Sequence, residues 1–486
     1  MKTRQKTQWT IHVILCGILL WVVACAANPV TGRHELMLIS EPDEIRLGQQ
    51  TDAQIDKTYG LYDDPKLGAY IGSLGQRIAK VSHRAQLPFH FKVLDSPVVN
   101  AFAVPGGYVY LTRGILSYCN NEAELAGVIG HEIGHVAARH SAQQYTRAQL
   151  AQLGLGLGAI LSEDFGQLAG LAQFGVSTLF LKFSRDNERQ ADNLGVEYAT
   201  KSGFDAKQMS NFFETLERLH PPSDRSGLPG WFSTHPNPED RIGAIQRKAQ
   251  EWDQRLGSPN LQVKREAYLH QIDGLVFGED PRQGYEADDI FYHPELKFQF
   301  PVPPGWKLNN TPSQVQMVNK GRDALILFSL KRSRSPEAVA RQFIAKSKAR
   351  VMRFDAVTVN GLPAQRVMAY INAQQGPLAM MAYFIQKDEH VYVFQGVTSQ
   401  VLFRGYRSAF AHTMGGFKTL SDPKRINVEP ERIRMRATAR SATLQEALKT
   451  LGVQEKRLEE MALLNGKRLT DTLPANTLLK LVVKGD

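Results

Sequence analysis

Residues 122–145 have the sequence EAELAGVIGHEIGHVAARHSAQQY, in which two histidines four residues apart lie among apolar side chains. The spacing of the apolar residues predicts one long helix over this stretch. Gly134 lies inside that helix, where a glycine costs roughly 1 kcal/mol relative to alanine. We therefore expect another element to pack closely against the helix at this position.

The helix brings His131, Glu132 and His135 into a pattern that suits a metal ion. Residues four apart lie about 40° apart around the helix axis and one turn apart along it, so both imidazoles can reach one ion. Glu132 lies about 100° round from His131 and can reach a water bound to that ion. The alternative is a core helix with an incidental histidine pair, but such a group is hard to bury without a metal. The pattern therefore predicts zinc, which neutral imidazole suits.

A catalytic zinc site needs three protein ligands and an open position, so a third ligand must come from another part of the chain. The best candidate is the segment SRDNERQAD, residues 184–192, in which Glu188 and Asp192 share one helix face. Glu188 can bind zinc while Asp192 accepts a hydrogen bond from a zinc-bound histidine and fixes its tautomer. The alternative, a solvated acidic face paired with Arg185 and Arg189, stays open on spacing alone.

These motifs together resemble a family of zinc metallopeptidases, the gluzincins that include HtpX and the CAAX prenyl proteases. The resemblance covers roughly residues 28–255 and is carried by His131-Glu132-Ile133-Gly134-His135, Glu188-x-x-Ala191-Asp192, His235-Pro236 and Asn100-Ala101-Phe102-Ala103-x-Pro105-Gly106-Gly107. It is closest to the BepA-like branch of periplasmic lipoproteins, although that branch ends in helical repeats and this chain does not. The resemblance implies zinc ligands His131, His135 and Glu188, with Glu132 as the general base.

The same resemblance assigns substrate binding to an edge strand that contains Asn100, Ala101, Phe102 and Ala103. An edge strand presents unpaired backbone groups, which can pair with an extended substrate. Backbone pairing gives affinity without strong selection among sequences. We therefore expect a site that accepts unfolded chains of many sequences.

His235 and Arg241 follow a loop that is rich in glycine and proline. The resemblance places His235 near the zinc, where it would stabilise the oxyanion, and Arg241 where it would brace a carboxylate beside the ligands. The alternatives are a turn histidine and an Arg–Asp pair at a helix N-terminus. Because such a loop can swing, we also expect that His235 can take the fourth zinc position and hold the site latent.

The N-terminus has the features of an export signal. Three basic residues precede an apolar run from Ile11 to Ala24, which at about 14 residues is too short to span a bilayer of roughly 30 Å. This pattern predicts a signal peptide over residues 1–24. Val22-Val23-Ala24-Cys25 resembles a bacterial lipobox, which implies acylation of Cys25 and a stable anchor, and Ala26 favours the outer membrane. The alternative is an ordinary signal peptide followed by an incidental cysteine.

The chain of 486 residues predicts an α+β protein with three folded parts. Residues 25–275 predict a mainly helical zincin peptidase domain with a small edge-stranded sheet. Residues 286–421 predict an antiparallel α+β domain of unknown function, whose opening segment 300–306 weakly resembles PsbP-like domains. Residues 437–484 resemble a LysM module, although the usual Gly-Asp before Thr443-Leu444 is missing, and a small helical cap is the alternative.

The two halves of the chain differ in charge. Basic residues outnumber acidic ones about two to one from residue 320 to the C-terminus, whereas the rest of the chain is slightly acidic. A basic region of this kind suits anionic cell-wall polymer, lipid head groups or nucleic acid. Export argues against nucleic acid, so the LysM-like part indicates peptidoglycan as a partner.

Together these features predict a Zn²⁺-dependent endopeptidase of the bacterial cell envelope, lipid-anchored through Cys25 at the periplasmic face of the outer membrane. It would hydrolyse peptide bonds of misfolded or misassembled envelope proteins through a zinc-bound water, with Glu132 as the general base. One alternative is a peptidase-fold chaperone or assembly factor of the outer membrane in which proteolysis is secondary. Another is a wall-binding scaffold, but a scaffold has no use for the general base.

Overall fold

The computed structural model describes residues 25–152, 182–219, 230–238, 240–257, 260–373 and 376–485. The predicted signal peptide lies outside these residues, as does almost all of the hydrophobic stretch 150–181, for which the sequence predicts a loosely packed helical lid. The chain divides into two compact units. The first contains nearly all residues up to Phe277 together with Arg432–Val483, and the second consists mainly of Gly278–Glu431.

The first unit is mainly helical, as the sequence predicts. Up to residue 277 its helices are α1 (Glu41–Tyr59), α2 (Pro65–Ala79), α3 (Arg113–Tyr118), α4 (Glu122–Ala137), α5 (His140–Gln152), α6 (Arg185–Lys201), α7 (Gln208–Leu219), α8 (Gly230–Thr234), α9 (Arg241–Arg255) and α10 (Arg265–Gln271). Asn121 caps α4 and Ser184 caps α6, because each side chain accepts a hydrogen bond from a free N–H of the first turn. Within the described residues, no helix is both long and apolar enough to cross a membrane.

The predicted single helix over residues 122–145 is in fact two helices, α4 and α5, because the chain bends at Arg139. Arg139 has a φ of 59°, in the left-handed region that costs a residue with a side chain about 1–2 kcal/mol. Its guanidinium donates to Glu44 Oε2 at 2.9 Å and to the Ile39 carbonyl at 3.1 Å, which stabilises the bend. The prediction of one continuous helix was therefore wrong.

A three-stranded sheet lies beside α4. The strands of this part of the chain are β1 (Cys25–Ala27), β2 (His34–Leu36), β3 (His90–Leu94), β4 (Ala101–Val104) and β5 (Tyr108–Thr112). In the sheet, β5 is central, parallel to β3 and antiparallel to β4, so β4 lies at an edge. Cys25, the predicted lipidation site, is the first described residue and begins β1, which pairs with β2.

The second unit is built on antiparallel strands, as the sequence predicts. Its strands are β6 (Tyr285–Ala287), β7 (Ile290–His293), β8 (Phe298–Pro301), β9 (Lys307–Thr311), β10 (Gln314–Val318), β11 (Ala324–Arg332), β12 (Arg350–Val359), β13 (Leu362–Ala373), β14 (Gly376–Lys387), β15 (His390–Ser399) and β16 (Lys418–Thr419). Seven of them form one sheet in the order β12-β13-β14-β15-β11-β10-β9, and β16-β8-β7-β6 form another.

The helices of the second unit are α11 (Pro336–Ser347), α12 (Phe403–Gly415) and α13 (Pro423–Ile426). The sequence predicts α11 but not α12. Only Phe410, Thr413 and Met414 of α12 are buried, so its apolar stripe is too short to indicate a helix. It forms because Phe410 packs against Gly396 of the sheet, where any added Cβ would lie 2.6 Å from the Phe410 ring.

The C-terminal residues return to the first unit and form β17 (Glu431–Ala437), β18 (Ala442–Thr443), α14 (Leu444–Thr450), α15 (Leu458–Leu464), β19 (Thr472–Leu473) and β20 (Leu478–Lys484). Leu448, Leu464 and Leu479 join the same buried apolar cluster as α4 and α6. Lys480 is 0% exposed and donates from Nζ to the Ser117 carbonyl at 2.6 Å and to the Cys119 carbonyl at 2.9 Å. The LysM-like residues therefore pack directly against the chain segment that leads into α4.

Candidate zinc site

Helices α4 and α6 cross at a seam of small residues. A Cβ added to Gly134 would lie 3.1 Å from the Ala191 carbonyl oxygen, and one added to Gly195 would lie 2.9 Å from the backbone nitrogen of His131. The two backbones can approach this closely only because both glycines lack side chains. The close packing predicted at Gly134 is thus confirmed, and it brings Glu188 of α6 to face the histidines of α4.

Four side chains converge beside this seam: His131, His135, Glu188 and His235 offer ligand atoms that lie within 4.8 Å of one another. His131 Nε2 is 3.0 Å from His135 Nε2 and 3.3 Å from His235 Nδ1. Glu188 Oε1 is 3.4 Å from His135 Nε2 and 3.1 Å from His235 Nδ1. Ligand atoms about 2.0–2.1 Å from one tetrahedral zinc ion lie roughly 3.3–3.4 Å apart. The four atoms therefore have the spacing of ligands to a single ion.

The burial of this group supports the same conclusion. The four side chains and Glu132 are 0% exposed. Among the described residues, neither carboxylate oxygen of Glu132 and not the Nε2 of His235 has a hydrogen-bond partner. Burying charged and polar groups in this way is costly unless they bind one another or a metal. Imidazole nitrogens and a carboxylate are ligands that zinc prefers, so the residues fit a zinc ion.

The protonation states of the ligands also suit a metal. Burial lowers the pKa of His135 well below its usual value, so this imidazole is neutral. Burial opposes ionisation of Glu188, but His235 and hydrogen bonds from His135 and His235 hold its pKa well below the usual value. Burial raises the pKa of Glu132, although His235 and His131 act in the opposite direction. Neutral imidazole and ionised carboxylate bind metals, whereas a raised pKa suits a carboxyl that takes up a proton.

Asp192 and Arg241 lie directly against these ligands. Asp192 Oδ1 is 2.9 Å from His131 Nδ1, so it holds a proton on that nitrogen and leaves His131 Nε2 free for the ion. Arg241 Nη2 donates to Asp192 Oδ1 at 2.7 Å and to Glu188 Oε2 at 3.5 Å. The guanidinium lies 3.7 Å from the centre of the Phe213 ring. Arg241 therefore orients both carboxylates of α6.

Aromatic rings cover the ligands on the side of α8. The Phe183 ring stacks on His135 with a centroid distance of 4.0 Å, and the Trp231 ring stacks on His235 at 4.4 Å. The backbone of the same segment is also held, since Trp231 N donates to the Val99 carbonyl at 3.1 Å. Sequence analysis did not single out either aromatic residue, because neither has a spacing that distinguishes it from a core residue.

A fourth histidine of the region, His140, was also missed. It lies at the start of α5, is 1% exposed, and its Nδ1 is 3.0 Å from Nδ1 of His135. Its Nε2 is 3.0 Å from Oε1 of Gln190 on α6. The sequence carried one sign of it, a third histidine five residues after His135, but a continuous helix would have turned that side chain away.

The predicted substrate strand is the edge strand β4. Asn100 directly precedes the strand, and its Oδ1 is buried with no partner among the described residues. Ala101, Phe102 and Ala103 lie within the strand and are buried. The Ala103 carbonyl accepts a hydrogen bond from Ser141 Oγ at 3.4 Å, which links the strand to α5. The edge therefore lies beside the α4–α5 turn that follows the zinc-binding histidines.

Comparison with known proteins identifies relatives of this region. Residues 65–249 match peptidase family M48. The Beta-barrel assembly-enhancing protease of Escherichia coli (strain K12) is 34% identical over 230 residues, which cover 46% of this chain and 47% of that protein. The protein of the same name from Yersinia pestis is 28% identical over 379 residues, 75% of this chain and 71% of that protein. The chain thus spans about half the length of several relatives that it matches.

A solved structure, cyanobacterial PsbP from Synechocystis sp. PCC 6803, is 13% identical with a TM-score of 0.24 and covers 27% of this chain and 91% of that chain. This likeness is too weak to assign a fold. The Mitochondrial metalloendopeptidase OMA1 of Schizosaccharomyces pombe is 31% identical over 267 residues, 54% of this chain and 75% of that protein. All four candidate ligands lie within the residues that match the family. The chain therefore belongs to peptidase family M48.

Proposed function

We propose that this protein is a zinc-dependent endopeptidase of the bacterial cell envelope that cleaves misfolded or misassembled envelope proteins. The observation that carries the proposal is the buried convergence of His131, His135 and Glu188 beside the Glu132 carboxylate. Family membership and the names of the relatives, protease and metalloendopeptidase, support the same activity.

The chemistry assigns a separate task to each residue. A bound zinc ion supplies Lewis acidity, which acidifies a coordinated water and polarises the scissile carbonyl. Glu132 takes the proton from the attacking water and returns it to the leaving amine, for which its raised pKa is suited. His235 has its Nε2 3.6 Å from Glu132 Oε1, so it lies close enough to donate to an oxyanion that forms beside Glu132.

The substrate binds, in this proposal, as an additional strand beside β4. The strand lies at a sheet edge and follows Asn100, whose free Oδ1 offers one more acceptor. Pairing through Ala101, Phe102 and Ala103 would use the substrate backbone alone. A folded protein hides its backbone in its own hydrogen bonds. This mode of binding therefore selects unfolded chains.

The envelope location is part of the proposal. It is supported by the apolar N-terminal run before Cys25 and by the bacterial relatives, whose name refers to β-barrel assembly. Acylation of Cys25 would hold the protein on the periplasmic face of the outer membrane. The LysM-like residues 437–484 would add binding to peptidoglycan, and domain boundaries near residues 275, 286, 421 and 437 belong to the same proposal.

One experiment separates the peptidase from a chaperone or assembly factor. Purified wild-type protein and Glu132→Gln are compared for zinc content and for cleavage of an unfolded protein. The expected result is equal zinc content, with cleavage lowered about 10²- to 10⁴-fold in the variant, because glutamine has the shape of glutamate but cannot take a proton. Equal cleavage by both proteins contradicts the role of Glu132. Suppression of aggregation without cleavage by the wild type favours the chaperone.

A further inference from the structure

The two zinc-binding histidines of α4 differ in what holds their second ring nitrogen. Asp192 holds His131 Nδ1 directly, at 2.9 Å. His135 has no carboxylate at the equivalent nitrogen; its Nδ1 faces His140 Nδ1 at 3.0 Å instead. A metal-binding imidazole needs such a partner, because the partner fixes which nitrogen carries the proton and how the ring is oriented.

The direction of each hydrogen bond in this contact can be assigned. His135 Nε2 faces the ligand cluster, 3.4 Å from Glu188 Oε1, so this nitrogen must be free of a proton when it binds a metal. The proton of neutral His135 then lies on Nδ1, and His140 Nδ1 must accept it. The proton of His140 lies on Nε2 and is donated to Gln190 Oε1 at 3.0 Å. A single arrangement of protons satisfies all three side chains.

The fold places His140 in this position at a cost. His140 begins α5 immediately after Arg139, whose left-handed backbone turns the chain at the end of α4. The buried ion pair of Arg139 with Glu44 stabilises that turn. The Phe183 ring packs against both His135 and His140, with centroid distances of 4.0 Å and 6.1 Å. His140 is thus held by the backbone, by a ring and by two hydrogen bonds.

We propose that His140, itself held by Gln190, is a positioning residue that keeps His135 in the tautomer and orientation that bind zinc. The helix α6 then controls the whole metal site: Glu188 supplies a ligand, Asp192 orients His131, and Gln190 orients His135 through His140. The inference rests on the proposed zinc site but not on any substrate or on the cleavage reaction.

A matched pair of variants tests this role, because the two amides mimic different nitrogens of histidine. Asparagine at position 140 places its oxygen near the former Nδ1 and can still accept from His135. Glutamine places its amide nitrogen near the former Nε2 and can still donate to Gln190, but it lacks the acceptor for His135. His140→Phe keeps a ring of similar size and removes both hydrogen bonds.

The measurements are zinc affinity, by competition with a chelator, and the visible spectrum of the cobalt(II)-substituted protein, which reports ligand geometry. We expect His140→Phe and His140→Gln to bind zinc about 10- to 100-fold more weakly and to shift the cobalt spectrum. His140→Asn is expected to stay close to wild type in both. Thermal unfolding of the metal-free proteins shows whether each variant is folded.

Equal losses in the asparagine and glutamine variants, or no loss in either, would overturn the proposal, since a residue needed only for packing does not distinguish the two amides. If His140→Phe does not fold, the amide pair still decides. Because neither measurement involves peptide cleavage, failure here is distinguishable from failure of the proposed endopeptidase activity.

Discussion

His235 Nδ1 lies 3.1 Å from Glu188 Oε1, inside the group of atoms that would surround a zinc ion, while His235 Nε2 lies 3.6 Å from Glu132 Oε1. One imidazole thus faces both the metal position and the general base. In this position it would occupy the fourth coordination place that catalysis needs open. The Trp231 ring stacked on it at 4.4 Å holds it there.

His235→Ala therefore has two distinguishable outcomes. If His235 blocks the resting site, the variant cleaves an unfolded protein faster than the wild type, because the fourth position opens. If His235 only stabilises the oxyanion, cleavage falls. A double variant with Glu132→Gln is the control and must be inactive. In a structure of the zinc-loaded resting protein, His235 at about 2.0–2.1 Å from the ion supports the block, whereas a water there with His235 distant excludes it.

Glu188→Ala should lower zinc affinity more than Asp192→Ala. The carboxylate of Glu188 is within 3.6 Å of Nε2 of both His131 and His135, whereas Asp192 contacts only Nδ1 of His131. Loss of an orienting partner typically costs about 10- to 100-fold in metal affinity, and loss of a ligand costs more. Metal analysis after dialysis against graded chelator concentrations measures both. The reverse order would mean that the two roles are exchanged.

Lys480→Met should destabilise the protein, because it leaves the buried carbonyls of Ser117 and Cys119 without their donor. An unsatisfied buried group costs about 1–3 kcal/mol, so we expect a fall of that size in the free energy of unfolding, measured in denaturant. Lys484→Met on the same strand is the matched control, since Lys484 is exposed and its change should stay within about 0.5 kcal/mol. Equal effects would show that Lys480 does not hold the C-terminal residues.

Cys25→Ser should release the protein from membranes or leave it unprocessed, because serine cannot carry a thioether-linked lipid. Each buried methylene of an acyl chain contributes about 0.8 kcal/mol to membrane binding, so loss of the chains removes a stable anchor. Fractionation of cells that express the full chain measures the distribution. Cys119→Ser is the control, since Cys119 is buried in the first unit. Normal processing and unchanged membrane binding of Cys25→Ser would point to another anchor.

Local sequence determined the parts of the site that depend on helix periodicity. The spacing of His131 and His135 and that of Glu188 and Asp192 put each pair on one face of a helix, because residues four apart are always neighbours there. Gly134 indicated a close helix contact for the same reason, since only a packed neighbour explains a glycine in that place. The strand content of the second unit was also visible as alternation along the chain.

Only the tertiary structure decided the contacts between residues far apart in the chain. The bend at Arg139, which carries His140 to His135 and Gln190, depends on Glu44, 95 residues earlier. Lys480 reaches Ser117 across 363 residues and makes the LysM-like segment part of the first unit, which no local pattern indicates. Sequence periodicity reports what one helix or strand presents. Which partner meets that face is decided by the packing of the whole unit, because burial and polar pairing are satisfied there together.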